Sequence, residues 1–284
     1  MLIGIFCALA LAASGLTCLG TNAFCSLHWL WALPLTFLGS FLVLCLLWFL
    51  LLFIMAKAVD MEKEQENDSP FYRAVINLTI PALVTLFRIH IHVEGMEKLP
   101  KNGRFMLVCN HLNDTDPIVL LWAMRKSQLA FISKKENDQK FLVGPFMRKL
   151  LCQPIDREND RAALKTILRC IALLKEDKIS LGVFPEGYCS RDHLLHPFRS
   201  GVFKIAQKAQ LPILVCTVRD THHIFHNMLR LKPSRVELHL LEVIPAETLT
   251  GRTAVDIADQ VHRIMAADLG PELVLQAGEG EISS

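Results

Sequence analysis

Two short stretches carry side chains suited to moving a proton and to holding an oxygen-rich ligand. The first is Asn110-His111-Leu112-Asn113-Asp114-Thr115-Asp116-Pro117 and the second is Phe184-Pro185-Glu186-Gly187. His111 and Asp116 stand five residues apart. On a continuous helix, at about 100° per residue, their side chains would diverge by about 140°. They meet only if the chain turns between them. Asn113, Asp114 and Thr115 favour a turn, while Pro117 disfavours helical geometry at Asp116 and suits the first position of a following helix. A carboxylate folded back onto Nδ1 fixes the imidazole tautomer and stabilises the imidazolium, leaving Nε2 to take a proton from a hydroxyl. No nucleophile stands in this turn, so the substrate is expected to supply one.

Plainer readings of the same residues stand beside this one. Asp116 could cap the following helix, with His111 a satisfied turn residue. Asp114 is a competing partner for the imidazole, and His111, Asp114 and Asp116 together could hold a hydrolytic metal ion, although no His/Glu cluster accompanies them. In the second stretch, Pro and Gly punctuate a strand end. Glu186 there can accept hydrogen bonds from polyol hydroxyls, and Gly187 lets a ligand approach the backbone. Arg157, Arg191 and Arg199 are cations that could bind a phosphate. His90 and His92 alternate along a strand, and His222, His223 and His226 read as a solvated loop after Val218.

The elements that must position these groups alternate in type. Strands are expected at Arg88–Val93, Arg104–Cys109, Gln128–Ile132, Gln153–Ile155, Ile179–Phe184, Ile213–Val218 and Arg235–Val243. Helices are expected at Phe71–Phe87, Pro117–Arg125, Asp138–Leu150, Asp160–Lys175, Gly201–Ala209 and Thr253–Leu269. This alternation implies an α/β domain with a mixed, largely parallel sheet flanked by helices. Ligands in such sheets gather beyond the carboxyl ends of strands, where both chemical stretches fall.

The first part of the chain is of another kind. From Met1 to Ala56 there is no Lys, Arg, Asp or Glu. Leu2–Gly20 and Trp29–Ala56 are apolar runs, and a spanning helix needs about 20 such residues. A signal peptide is the rival reading of the first run, but the cationic segment that precedes one is absent. An N-terminal transmembrane helical hairpin over 1–57 is therefore expected, then a polar linker over 58–70 and a cytosolic domain over 71–284. Lys57 and Lys63 follow the second run, which places that domain on the cytoplasmic side. The tail from Gly278 to Ser284 reads as loose. The nine cysteines show no paired spacing for zinc, redox chemistry or a secreted framework. A formal net charge of +2 argues against nucleic acid as a partner.

The ordered motifs resemble those of the glycerolipid acyltransferases typified by 1-acyl-sn-glycerol-3-phosphate acyltransferase. That family carries Asn-His-x-x-x-x-Asp, an Ile/Val-Asp-Arg element, Phe-Pro-Glu-Gly and a Pro-containing apolar strand, similar here to Asn110–Asp116, Ile155–Arg157, Phe184–Gly187 and Leu211–Val218. The resemblance covers roughly Arg88–Pro245. It implies acyl transfer from acyl-CoA or acyl carrier protein to a lysophospholipid at a bilayer, without metal or other cofactor. His111 and Asp116 would be catalytic, and Arg157, Phe184, Pro185, Glu186, Gly187 and Arg191 would bind substrate. The expected acceptor is 1-acyl-glycerol-3-phosphate, giving phosphatidic acid; glycerol 3-phosphate or another lysophospholipid is the alternative. A membrane-tethered metal hydrolase and a non-catalytic scaffold are the readings from other classes. One position departs from the pattern: Cys189 stands where the family often has an Arg for the acceptor phosphate.

Overall fold

The computed structural model describes residues 1–275; the tail Gly278–Ser284 lies outside them. Helices α1 (Leu2–Gly20) and α2 (Trp29–Lys57) form an antiparallel hairpin. Leu2, Phe6, Ala10, Ser14 and Cys18 recur every four residues and bury one stripe of α1. Phe6 meets Phe41 and Trp48 edge-on, and the Ser14 hydroxyl donates to the Leu33 carbonyl at 2.7 Å. Much of α2 is exposed and apolar, including Leu35, Leu42, Leu46 and Phe49. By length and composition both helices could cross a bilayer.

Helix α3 (Pro70–Leu86) joins this hairpin to the sheet. The Trp48 indole donates to the Thr79 hydroxyl at 3.2 Å, and the Tyr72 hydroxyl donates to the Met55 carbonyl at 2.9 Å. Arg73, buried on α3, grips both oxygens of Asp68 and also donates to the carbonyls of Leu129 and Leu150. The guanidinium fork thus ties α3 to loops at the sheet edge.

The sheet contains β1 (Ile89–Glu94), β2 (Met106–Cys109), β3 (Leu129–Lys134), β4 (Gln153–Ile155), β5 (Ser180–Val183), β6 (Ile213–Arg219) and β7 (Ser234–Ile244). Their spatial order is β1-β7-β6-β2-β5-β3-β4, and only the β6–β7 pair is antiparallel. The expected mixed, largely parallel sheet is what forms. Strands β2 and β5 are buried at every residue because helices cover both faces. The covering helices include α4 (Asp116–Ala123), α5 (Val143–Lys149), α6 (Asp160–Lys175), α7 (Lys204–Ala209) and α9 (Ala254–Leu269). A Thr253/Asp256 capping box starts α9.

Two helical expectations and one loop expectation are corrected. The helix expected over Asp138–Leu150 begins only at Val143, after a 3₁₀ turn over Lys135–Gln139. The Asp138 carbonyl lies where a Cβ on Gly144 would stand, so the chain folds back there rather than running on as one helix. Gly201–Ala209 divides into a 3₁₀ turn at Ser200–Phe203 and α7. The stretch after Val218 is not all loop: α8 (His223–Leu229) carries His223 and His226. Seven residues make barely two turns, too few for a helical period to stand out.

Candidate active site

Strands β2 and β5 are parallel neighbours, so their following loops leave the same edge of the sheet. The Asn110 side chain fixes the exit of β2. Its amide donates to the Val218 carbonyl at 3.0 Å and its oxygen accepts the Val218 N–H at 2.8 Å, clamping β2 to β6. His111 follows, and the chain then turns as the polar run Asn113–Thr115 requires. The Asn113 side-chain oxygen accepts the Thr115 N–H at 3.1 Å. This turn brings Asp116, the first residue of α4, back to His111: Oδ2 lies 2.8 Å from Nδ1. The same oxygen accepts the N–H groups of Leu112 at 2.7 Å and Asn113 at 2.9 Å. Asp116 has no solvent exposure, and its Oδ1 is buried without a partner. Asp114 is exposed and does not take the orienting place; it pairs with Lys140 at 3.6 Å.

The loop after β5 completes the centre. Phe184 stacks on the His111 ring with centroids 4.1 Å apart, and Phe131 stacks behind Phe184 at 5.9 Å. Gly187, at φ +85°, makes a turn that side chains resist. Its Cα faces Arg199, whose Nε would lie 2.9 Å from an added Cβ. Glu186 is buried. One of its oxygens accepts the His111 N–H at 2.8 Å and the other the His196 N–H at 3.2 Å. Burial pushes its carboxyl up to about 8, with the two amide donors opposing. The expected role of Glu186 as a polyol acceptor is therefore corrected. Both oxygens are turned onto main-chain N–H groups, so this side chain positions His111. Pro185 and Gly187 are likewise buried and shape the bend.

Two cations flank the bend. Arg157, half-buried beyond β4, is lowered from the ordinary arginine value by burial and by the nearby Arg199. Two guanidinium groups that close repel each other, and a bound dianion would relieve that repulsion. Arg191 is exposed and makes no hydrogen bond or ion pair among the described residues. Arg199, which packs on Gly187, stands nearer the centre.

One contact was not legible in the motifs. The Cys189 sulfur lies 3.0 Å from His111 Nε2 and 3.7 Å from Asp114 Oδ1. Burial, Asp114 and Asp116 push this thiol up to about 12. Sequence singles out Cys189 only as a replaced Arg, and 78 residues of chain hide its meeting with the imidazole. The alternative grouping of His111, Asp114 and Asp116 as a metal set is not what the structure brings together. Asp116 sits on the opposite nitrogen, and the atoms that converge are those of His111, Asp114 and Cys189.

A largely parallel seven-stranded sheet with a His–Asp pair at its carboxyl edge, behind two long apolar helices, defines a class of α/β protein. The acyltransferase family pattern matches residues 90–219. A 1-acyl-sn-glycerol-3-phosphate acyltransferase of Bacillus subtilis is 32% identical over 44% of this chain and 60% of its own length. One from Cocos nucifera is 29% identical over 61% of this chain and 56% of its own length. The matched region thus spans less than two thirds of either relative. The crystal structure of the 1-acyl-sn-glycerophosphate acyltransferase PlsC from Thermotoga maritima has the same fold, with a TM-score of 0.59 at 23% identity, covering 72% of this chain and 83% of that one.

Proposed function

We propose that this chain is a membrane-anchored O-acyltransferase that moves a fatty acyl group from a thioester to a hydroxyl of a lysophospholipid. The observation that carries the reading is the buried Asp116 oxygen on His111 Nδ1, beside the Phe184–Gly187 bend of the adjacent parallel strand. Asp116 fixes the tautomer, Phe184 and Glu186 fix the ring, and Nε2 is left to handle the proton. His111 deprotonates the acceptor hydroxyl, the resulting alkoxide attacks the acyl carbonyl, and the departing thiolate is protonated in turn. Arg157 and Arg199 hold the acceptor phosphate, and 1-acyl-glycerol-3-phosphate fits that pair. The relatives bearing that substrate's name support the same acceptor. The donor is acyl-CoA or acyl carrier protein, and the chemistry needs no metal or further cofactor.

The hairpin α1–α2 anchors the domain in the bilayer. Lys57, the last residue of α2, and Lys63 beyond it favour a cytosolic face for the catalytic part. A cavity of about 280 Å³ lies between the end of α2 and residues 138–145, lined in part by Ala56, Phe141 and Lys140. Its Lys140 pairs with Asp114, which neighbours the centre. The direct test incubates the purified full chain with radiolabelled oleoyl-CoA and a panel of lysophospholipids plus glycerol 3-phosphate. The expected product is labelled phosphatidic acid. No labelled lipid from any acceptor would refute the reading.

A further inference from the structure

We propose that Cys189 is a covalent acyl carrier in this site, receiving the acyl group from the donor thioester before the acceptor hydroxyl does. The proposal rests on the acyl-transfer reading above and adds an intermediate to it. Cys189 Sγ, His111 Nε2, His111 Nδ1 and Asp116 Oδ2 form a continuous series of contacts at 3.0 and 2.8 Å. Nucleophile, base and orienting carboxylate stand in the relation that thiol acyl transfer requires. The sulfur occupies the only ring nitrogen left for an acceptor hydroxyl, so it must either carry the acyl group or move away.

The backbone that presents this sulfur is fixed. The His111 N–H binds Glu186, the Ser190 N–H binds the His111 carbonyl at 2.8 Å, and the Arg199 N–H binds the Pro185 carbonyl at 2.9 Å. These bonds hold both flanks of Cys189. The N–H groups of Tyr188 and Cys189 itself donate to no protein acceptor among the described residues. They are free to receive an oxyanion formed at that sulfur. Cys109, Cys152, Cys170 and Cys216 are buried in the domain core, whereas Cys189 is partly accessible. Its thiol is pushed up to about 12 by burial and the nearby carboxylates, so it rests neutral and depends on His111 to react.

The chemistry balances without a further reagent. His111 takes the Cys189 thiol proton as the sulfur attacks the donor carbonyl. The donor C–S bond breaks, and the leaving thiolate receives that proton. One thioester replaces another, so the acyl group keeps its activation. His111 then takes the proton of the acceptor hydroxyl, the oxygen attacks the Cys189 thioester, and the thiolate leaves and is reprotonated.

The test uses the full chain in detergent micelles with radiolabelled oleoyl-CoA and no acceptor, followed by acid quenching and peptide mapping. We expect label on Cys189, released by neutral hydroxylamine and discharged to lipid when lysophosphatidate is added. We expect that label to be absent from Cys189→Ala and from His111→Ala, and initial rates to give parallel double-reciprocal lines. Cys189→Ala should lose about a hundredfold in transfer, with a melting curve like that of the wild type as a folding control. Wild-type transfer without label on Cys189, with Cys189→Ala within about twofold of wild-type activity, would overturn the intermediate and leave the acyltransferase reading standing. A gain of activity in Cys189→Arg would overturn it too, assigning the position to acceptor phosphate. Label on Cys189 that no acceptor discharges would be a dead-end acylation and would overturn the carrier. Neither label nor lipid product would overturn both.

Discussion

Three N–H donors converge on one oxygen of Asp116, and this is what folds a five-residue spacing into a hydrogen-bonded pair. The need for a turn between His111 and Asp116 was legible, because Asn113, Asp114, Thr115 and Pro117 leave little else to form there. The Cys189 contact was not legible, since it depends on β2 and β5 being neighbours. Asp116→Asn keeps the shape but removes the charge that stabilises the imidazolium. Transfer should fall roughly a hundredfold or more, with little change in KM; an unchanged kcat would contradict the orienting role. Glu186 makes a prediction in pH. Its carboxyl, held near 8 by burial against an ordinary 4.5, makes the folded chain bind more protons than the unfolded chain between those values. The stability it contributes is full below about pH 4.5 and is lost as pH rises through about 8. Glu186→Gln should flatten this dependence in thermal melts taken from about pH 5 to about pH 9. Parallel slopes for the two proteins would contradict it.

At the level of elements, short side chains set where the strand ends sit. Asn110 closes two hydrogen bonds on Val218 and so holds the β2 exit against β6. Asn110→Ala leaves a buried N–H and carbonyl unpaired, which costs about 2–3 kcal/mol; urea unfolding measures this, and a loss near zero would refute the clamp. Gly182 in β5 lies under the Phe131 ring, which backs Phe184 and through it His111. Gly182→Ala forces that stack to shift at a cost of about 1–3 kcal/mol, and activity should fall more than stability does. Strand β4 and helix α6 match their sequence expectations to the residue, because turn residues bound the first and a strong amphipathic period marks the second. The shortened α5 and the missed α8 depend on tertiary contacts or on too few turns. No local pattern encodes either.

For the whole molecule, the division between an uncharged first part and a charged remainder is plain in the sequence, and it predicts both the apolar hairpin and the α/β domain. How the two are joined is not, because the Arg73–Asp68 fork and its carbonyl partners lie on segments far apart in sequence. Arg73→Met strands a buried Asp68 and should destabilise by about 3–5 kcal/mol, lowering the melting temperature and loosening α3 in hydrogen exchange. If α1 and α2 anchor the protein, deleting residues 1–57 should move it from the carbonate-resistant membrane fraction to the supernatant. Retention in the membrane would contradict the anchor. The proposed activity of the whole molecule depends on the imidazole at the carboxyl edge of β2. Its most direct test is the rate of acyl transfer from oleoyl-CoA to lysophosphatidate by His111→Ala, compared with wild type at equal folded concentration. A loss of roughly a hundredfold or more is predicted; a rate equal to that of the wild type would contradict the central claim.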